Sequence, residues 1–397
     1  RTGVKVKVVL AGVRDVTQDR ICDTSDITLT EDPYEVVNHK DVDVVLELIG
    51  GTEVTKDLVE TAIKNGKHVI TANKALLAEH GNDLIKLANK NKVRLLFEAS
   101  VAGGIPIIKS LEQGLSANKI ESLAGIVNGT GNFILTEMKE KDRDFDDVLK
   151  EAQMLGYAEA DPTYDVEGID AAHKLSILAA IAFGTELQFD KVYTKGISEI
   201  TTEDIKYATE LGYVIKHLGI AKRVGNSIEM RVHPTLIAKD QIIANVNGVM
   251  NAVLVKGDAL GTSLYYGAGA GDEATASAVI ADLIDIINNQ TSNHILGWKS
   301  QEKTKVIDNN SINSEFYLRL LVSDVSGVLA KLTQIFHQEK VNIEAFIQKQ
   351  VDADNNAHIV IITNKINTRN VMNIKKKIEA SDFNQDNVQI LHVETLD

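Results

Sequence analysis

Cysteine is nearly absent. Cys22 is the single one in 397 residues, so no internal disulfide can form and the chain suits a reducing cytosol. No Cys/His cluster falls at zinc-ligand spacing, which leaves a structural zinc site without ligands. Nor does any apolar run approach the ~18 residues that span a bilayer; the longest, Leu175–Phe183, is about half of that and rich in alanine. Positive charge is not in excess either: 42 Lys+Arg stand against 56 Asp+Glu, a formal net charge of −14. With the acids spread along the chain, a nucleic acid or an anionic membrane is a poor partner. The sequence opens Arg1-Thr2-Gly3-Val4-Lys5 without a signal-peptide pattern, and a cytoplasmic location is expected.

What is present is ordinary globular composition, 44% hydrophobic and 25% charged, in a chain long enough for two or three domains. The first hundred residues alternate strand and helix patterns. Strands are expected at Val4–Val13, Val42–Leu48, His68–Thr71 and Val93–Phe97, and helices at Asp32–His39, Val54–Asn65 (ended by Gly66) and Ala75–Asn89. Such alternation predicts an α/β, Rossmann-like parallel sheet. Ligands bind at the carboxyl ends of such strands, in the loops Leu48–Gly51 and Thr71–Lys74. Gly50, Thr71, Asn73 and Lys74 are therefore candidate cofactor contacts. A glycine-rich dinucleotide turn does not follow the first strand, which ends in Arg14-Asp15. That ending suits the second strand of a dinucleotide fold, with Arg14 at a 2′-phosphate and hence NADP favoured over NAD. A first βα unit of roughly 30 residues is expected ahead of Arg1.

A dinucleotide-binding domain is thus expected over 1–104 and a mixed helix and strand domain, for substrate and dimerisation, over 105–305. Gly267-Ala268-Gly269-Ala270-Gly271 runs into a helix expected at 272–290, which should pack on the first domain. Glycine-rich turns at helix N-termini receive anions, so Gly271 is expected near the cofactor. The chain turns polar around Lys303–Asn313, and the remainder, 313–397, has a βαββαβ rhythm of ferredoxin-like order.

The strongest chemical signal is Gly168–Gly184, a helix apolar nearly all round and so expected to be buried. Asp170 and Lys174 share one of its faces. On a wet helix such a pair is an ordinary solvated contact. Among Ala, Leu and Ile it is costly unless partnered, and a buried lysine can be tuned for proton transfer. Upstream lie Glu159, Asp161, Asp165 and Glu167. As a group they could complement a helix dipole, or line a pocket for a cationic substrate such as an amino acid. Lys74 starts a helix, the wrong dipole end for a cation, but stands where ligands sit. Two lysines could then flank one substrate oxygen. His173 is spaced to face away from Lys174 and reads as a core or surface residue.

These residues belong to longer motifs: TANKALLA at 71–78, FEASVAGGIPII at 97–108, GIVNGTGNFILT at 125–136, GYAEADPTYDVEGIDAAHKL at 156–175 and GAGAG at 267–271. Together they resemble homoserine dehydrogenases of the longer bacterial type, over essentially the whole chain, and the tail DVSGVLAKLTQIF at 324–336 resembles an ACT domain. The resemblance implies NAD(P)-dependent interconversion of L-aspartate 4-semialdehyde and L-homoserine, on the route to threonine and methionine. It implies that Lys174 donates the proton, that Lys74 assists while facing the cofactor, and that Glu159, Asp165 and Asp170 hold the substrate's amino end or orient Lys174. It also implies a monovalent cation, sodium, at Glu98, Val101, Gly103 and Ile105, where the residues alone suggest only a tight turn. L-threonine at the ACT loop Asp324–Gly327 and a homodimer or homotetramer are further expectations. The alternative is a non-catalytic amino-acid sensor with a decayed dehydrogenase body.

Overall fold

The computed structural model describes residues 2–288, 296–348 and 353–396. Strands β1 (Leu10–Gly12) and β2 (Thr28–Thr30) pair in parallel, and β3 (Val44–Glu47), β4 (His68–Thr71) and β5 (Leu95–Leu96) form a second parallel sheet in that order. Helices α1 (Pro33–Asn38), α2 (Glu53–Lys64) and α3 (Lys74–Lys90) connect them. Each helix has a local cause. Asp32 accepts from the Tyr34 N–H ahead of Pro33, whose missing N–H is no loss in a first turn. Gly66 takes φ 76° after α2, and Asn73 caps α3 by accepting from the Leu76 N–H. The strand expected at Val4–Val13 shrinks to β1. Val4, Val6 and Val8 are 57%, 52% and 56% exposed, and no described strand pairs with them, so their alternation has no ladder to join.

The middle of the chain builds an antiparallel sheet from β6 (Ile120–Ile126), β7 (Tyr213–Val224), β8 (Ser227–Ala238), β9 (Met250–Gly257) and β10 (Gly261–Ala268), ordered β10-β9-β6-β7-β8. Helices α4 (Gly129–Lys141), α5 (Phe145–Met154), α6 (Thr163–Val166), α7 (Ile169–Phe183) and α8 (Thr202–Glu210) surround it. Every residue of α7 except Ile169 and Lys174 is buried, as its all-round apolar sequence requires. Helix α9 (Asp272–Asn288) crosses to the parallel sheet, where Val279 and Ile286 pack on Ile70 and Asp285 pairs with Arg94 at 2.8 Å. Residues 289 and 290, expected to end this helix, lie outside the described residues.

The C-terminal unit has the expected βαββαβ order: β11 (Asn313–Ser323), α10 (Val328–Gln338), β12 (Ile343–Gln348), β13 (Asn356–Thr363), α11 (Thr368–Glu379) and β14 (Gln389–Glu394). Its sheet, β14-β11-β13-β12, is not detached. β14 pairs in parallel with β8, through His392↔Thr235, Val393↔Leu236 and Glu394↔Ile237, so one sheet runs through both units. The β14 edge of the C-terminal sheet is therefore paired within the chain. The junction is charged and buried: Arg231, 1% exposed, and Lys222 each lie 2.6 Å from the Glu394 carboxylate. Burial opposes ionisation of Glu394, but the two cations outweigh it and hold the carboxyl down to about 2. One face of the C-terminal sheet packs on α10 and α11. From the other face Tyr317, Val360, Ile362 and Leu391 share a core with Phe133 and Leu135 of α4 and with Ile197 and Tyr207.

Candidate active site

Gly168, at φ 81°, lets the chain turn from α6 into α7 where a Cβ would meet His217 and Val232 at 3.0 Å. One turn into α7, Asp170 and Lys174 share a face. The Lys174 ammonium donates to Asp170 Oδ2 and to the Val127 carbonyl at the end of β6, both at 2.7 Å. Lys74, at the start of α3 in the other domain, brings its Nζ to 3.1 Å from Asp170 Oδ1. Each oxygen of one carboxylate therefore holds one lysine. Asn128 ties in a second acid: its amide donates to Asp170 Oδ2 at 2.9 Å and to Asp165 Oδ1 at 2.7 Å. The Asn128 Oδ1 accepts the Gly131 N–H at 2.7 Å as the cap of α4, which fixes the direction of its donors.

The two acids are tuned oppositely. Burial by itself would raise Asp170, yet Lys174 and Lys74 outweigh it and hold the carboxyl down to about 2. Asp165 is pushed up by burial, against the hydrogen bond from Asn128, and the Asp170 charge adds to the rise. Beside this cluster opens a cleft of about 680 Å³, with Gly50, Asn73, Lys74, Tyr164, His173 and Thr275 in its wall. It lies at the carboxyl ends of β3 and β4, where parallel sheets bind ligands.

The structure brings Lys74, Asp165, Asp170 and Lys174 together as expected, but not Glu159. That side chain is exposed and makes no described contact with the cluster; only its backbone carbonyl is used, by Gln153. Gly156 at φ 75° and the turn that follows carry it toward solvent. Gly50 and Asn73 line the cleft, and Gly271 (φ 115°) precedes Asp272 and Thr275, which also line it. Thr71 is fully buried and does not: its hydroxyl binds the Glu47 carboxylate and accepts the Asn73 N–H. It pins the two ligand loops together, helped by the bond from Asn73 to the Gly51 carbonyl at 2.6 Å. Arg14 is exposed and outside the cleft wall. His173 is buried, yet it reaches the cleft, its ring tilted against those of Phe189 at 4.3 Å and Tyr164 at 6.0 Å. Asn128 was missed. Its only sequence signal is an asparagine at the cap of NGTGN, which reads as a helix start.

Glu98, Val101, Gly103 and Ile105 lie in one tight turn, with Ala102 at φ 55° and Gly103 at φ 44°. A Cβ on Gly103 would stand 2.6 Å from the Gly269 carbonyl oxygen, so the turn and the GAGAG loop fit only with glycine there. Both Glu98 oxygens accept backbone N–H groups, from Ile108 and Lys109 at 2.9 Å, and burial pushes the carboxyl up to about 7. No described N–H donates to the carbonyls of Val101 and Gly103, whereas Ile105 accepts from Ile107 at 2.7 Å. One buried carboxylate with unclaimed carbonyl oxygens is a donor set that fits a hard cation.

A parallel nucleotide-binding sheet facing a lysine–carboxylate cluster across a domain cleft defines an NAD(P)-dependent oxidoreductase. Residues 106–284 match the family profile described as homoserine dehydrogenase, residues 1–98 the homoserine dehydrogenase NAD binding domain, and residues 316–382 the ACT domain. The chain is 51% identical to the homoserine dehydrogenase of Pseudomonas aeruginosa over 383 residues, 94% of this chain and 88% of that protein. It is 49% identical to that of Neisseria gonorrhoeae, covering 96% and 92%. Among solved structures, a homoserine dehydrogenase from Thiobacillus denitrificans superposes with TM-score 0.91 at 49% identity, over 99% of this chain and 91% of that one. A hyperthermophilic archaeal homoserine dehydrogenase in complex with NADPH gives TM-score 0.56 at 28% identity, over 64% and 74%. The chain belongs to the homoserine dehydrogenase family. With the catalytic body intact, the reading as a decayed sensor is not favoured.

The Asp170 charge should be visible in stability. Its carboxyl is held at about 2 in the folded chain, against about 3.9 in an unfolded one. The ionised form therefore favours folding above about pH 4, and that contribution fades as pH falls toward 2. Asp170→Asn is expected to unfold at lower urea concentration than the unmodified protein at neutral pH, with the difference closing near pH 2. A difference that stays constant across this range would contradict the pairing.

Proposed function

We propose a division of labour for the reaction, the NAD(P)-linked interconversion of L-homoserine and L-aspartate 4-semialdehyde. When bound, the nicotinamide supplies or accepts the hydride at the substrate carbon. The oxygen on that carbon gains a proton in one direction and loses it in the other. Lys174 moves this proton and Lys74 stabilises the developing charge from the cofactor side. Asp170 orients both, and the observation that carries the reading is that its two oxygens each hold one of them, from different domains. Asp165 and Asn128 receive the substrate's amino end; an ammonium beside Asp165 would offset the burial that raises its carboxyl. The geometry gives Glu159 no such part.

The test supplies L-homoserine with NADP⁺ or NAD⁺ and follows reduction of the cofactor. Lys174→Ala is expected to lose about 10²–10⁴-fold in kcat, with the KM for cofactor little changed; full activity would overturn the assignment. The same assay addresses cofactor choice. Arg14 follows β1 and is exposed, as a guanidinium for a 2′-phosphate must be, so Arg14→Ala should weaken use of NADP⁺ while sparing NAD⁺.

Sodium is assigned to Glu98 with the carbonyls of Val101, Gly103 and Ile105. It would neutralise Glu98 and hold this turn against the GAGAG loop. The melting midpoint is expected to be higher in sodium chloride than in choline chloride at equal ionic strength, and Glu98→Gln should remove the difference. An equal midpoint in both salts for the unmodified protein would reject the site.

For the ACT unit, the loop Asp324–Gly327 is the proposed L-threonine site, where Gly327 at φ 93° opens α10. No described strand pairs with the outer edge of β12, which supports a homodimer or homotetramer. Sedimentation of monomer alone at micromolar concentration would reject that assembly.

A further inference from the structure

Residues 195–204 run between the acidic turn of the site and the C-terminal sheet, with the first at one end and the second at the other. On the site side, the Ile197 N–H donates to the Val166 carbonyl at 2.9 Å and the Ser198 hydroxyl to the Glu167 carboxylate at 2.7 Å. Gly196 lies so close that a Cβ there would stand 2.6 Å from the Val166 carbonyl oxygen and 2.7 Å from Glu167 Cα. Val166 and Glu167 directly follow Asp165 and lead into the helix of Asp170. The Lys195 carbonyl accepts from His217 Nε2 at 3.0 Å, and that imidazole is the group against which Gly168 is packed.

On the other side, Gln389 of β14 donates to the Glu199 carbonyl at 3.2 Å. Asp204, 0% exposed, receives Arg319 through Nε at 2.6 Å and Nη2 at 3.2 Å, and the Tyr317 hydroxyl at 3.1 Å, all from β11. Asp204 also closes the capping box of α8 with Thr201. A carboxylate without solvent tolerates no loose partner, so β11 fixes the far end of this strap, while Gly196 leaves no slack where it meets the turn.

We propose that Asp204, Arg319 and Tyr317 are positioning residues of the substrate site. They set the strap, and the strap sets Asp165 relative to Asn128 and Asp170. The proposal rests on the reading that Asp165 and Asn128 hold the substrate's amino end. It implies that any ligand displacing β11 is felt at that end of the substrate, while the cofactor wall formed by β3 and β4 is untouched.

The test separates substrate from cofactor in the full chain. Tyr317→Phe removes one hydrogen bond and keeps the ring. The double variant Asp204→Asn/Arg319→Gln removes both charges together, so neither is left buried alone. Gly196→Ala presses on the turn directly. Each is expected to raise the KM for L-homoserine about three- to tenfold, with the KM for NADP⁺ unchanged, and to shift the pH profile of kcat/KM for L-homoserine. A merely structural role would lower the active fraction, so kcat would fall with both KM values and the pH profile unmoved; that result overturns the proposal. Asn128→Ala distinguishes the two readings. If it raises the KM for L-homoserine while the strap variants do not, the coupling is wrong and the substrate assignment stands. If it too leaves that KM unchanged, the substrate assignment fails and the proposal falls with it.

Discussion

A carboxylate taken out of water must be paired, and removing one partner from such a pair is far more costly than never having built it. Asp170, 5% exposed, meets this constraint with partners from two domains: Lys174 on its own helix and Lys74 at the head of α3. The arrangement makes domain docking and assembly of the site a single event. Were α3 to move away, Oδ1 would lose its cation. Both lysines meet on the same group, one on each carboxylate oxygen.

The apolar character of α7 has a chemical consequence as well as a structural one. Charges interact more strongly where water is scarce, and the residues around Asp170 and Lys174 on this helix are almost all buried Ala, Leu and Ile. Within that setting one asparagine amide divides the two acids. Asn128 bonds both, yet only Asp170 also holds two ammonium groups, so it is pulled down while Asp165 is pushed up. Neighbouring carboxyls are thus shifted in opposite directions by their surroundings: one lies between two ammonium groups, the other is half-buried with no described ammonium in contact.

Where structure follows from local pattern, the sequence was an accurate guide. The strand His68–Thr71 falls on its expected residues, the buried helix is bracketed by Gly168 and Gly184, and the C-terminal order of strands and helices holds to within a few residues. The Asp170–Lys174 pair was readable because opposite charges four residues apart in an apolar helix must meet on one buried face. Features that depend on a distant partner were not readable. Val4–Val13 alternates like a strand, but alternation supplies no neighbour. Asn128 looks like a cap and is one; its second role needs Asp165 and Asp170, 37 and 42 residues away. Thr71 ends β4 and Glu159 sits in a turn; where their side chains go is set by tertiary bonds and φ angles, which residue type does not encode.

The union of the C-terminal sheet with the central one was equally hidden, since β14 carries no mark of which edge it will present. What selects the join is a set of contacts distant in sequence: Arg231 and Lys222 on Glu394, and the apolar face of β11, β13 and β14 against α4. That face shares its core with Phe133 and Leu135, in the helix that Asn128 begins. Close-packed cores transmit displacement because they have little free volume to absorb it. The ACT unit is therefore joined to the central unit by a shared sheet and a shared core. Its sheet face forms one wall of the core in which the helix begun by Asn128 is packed.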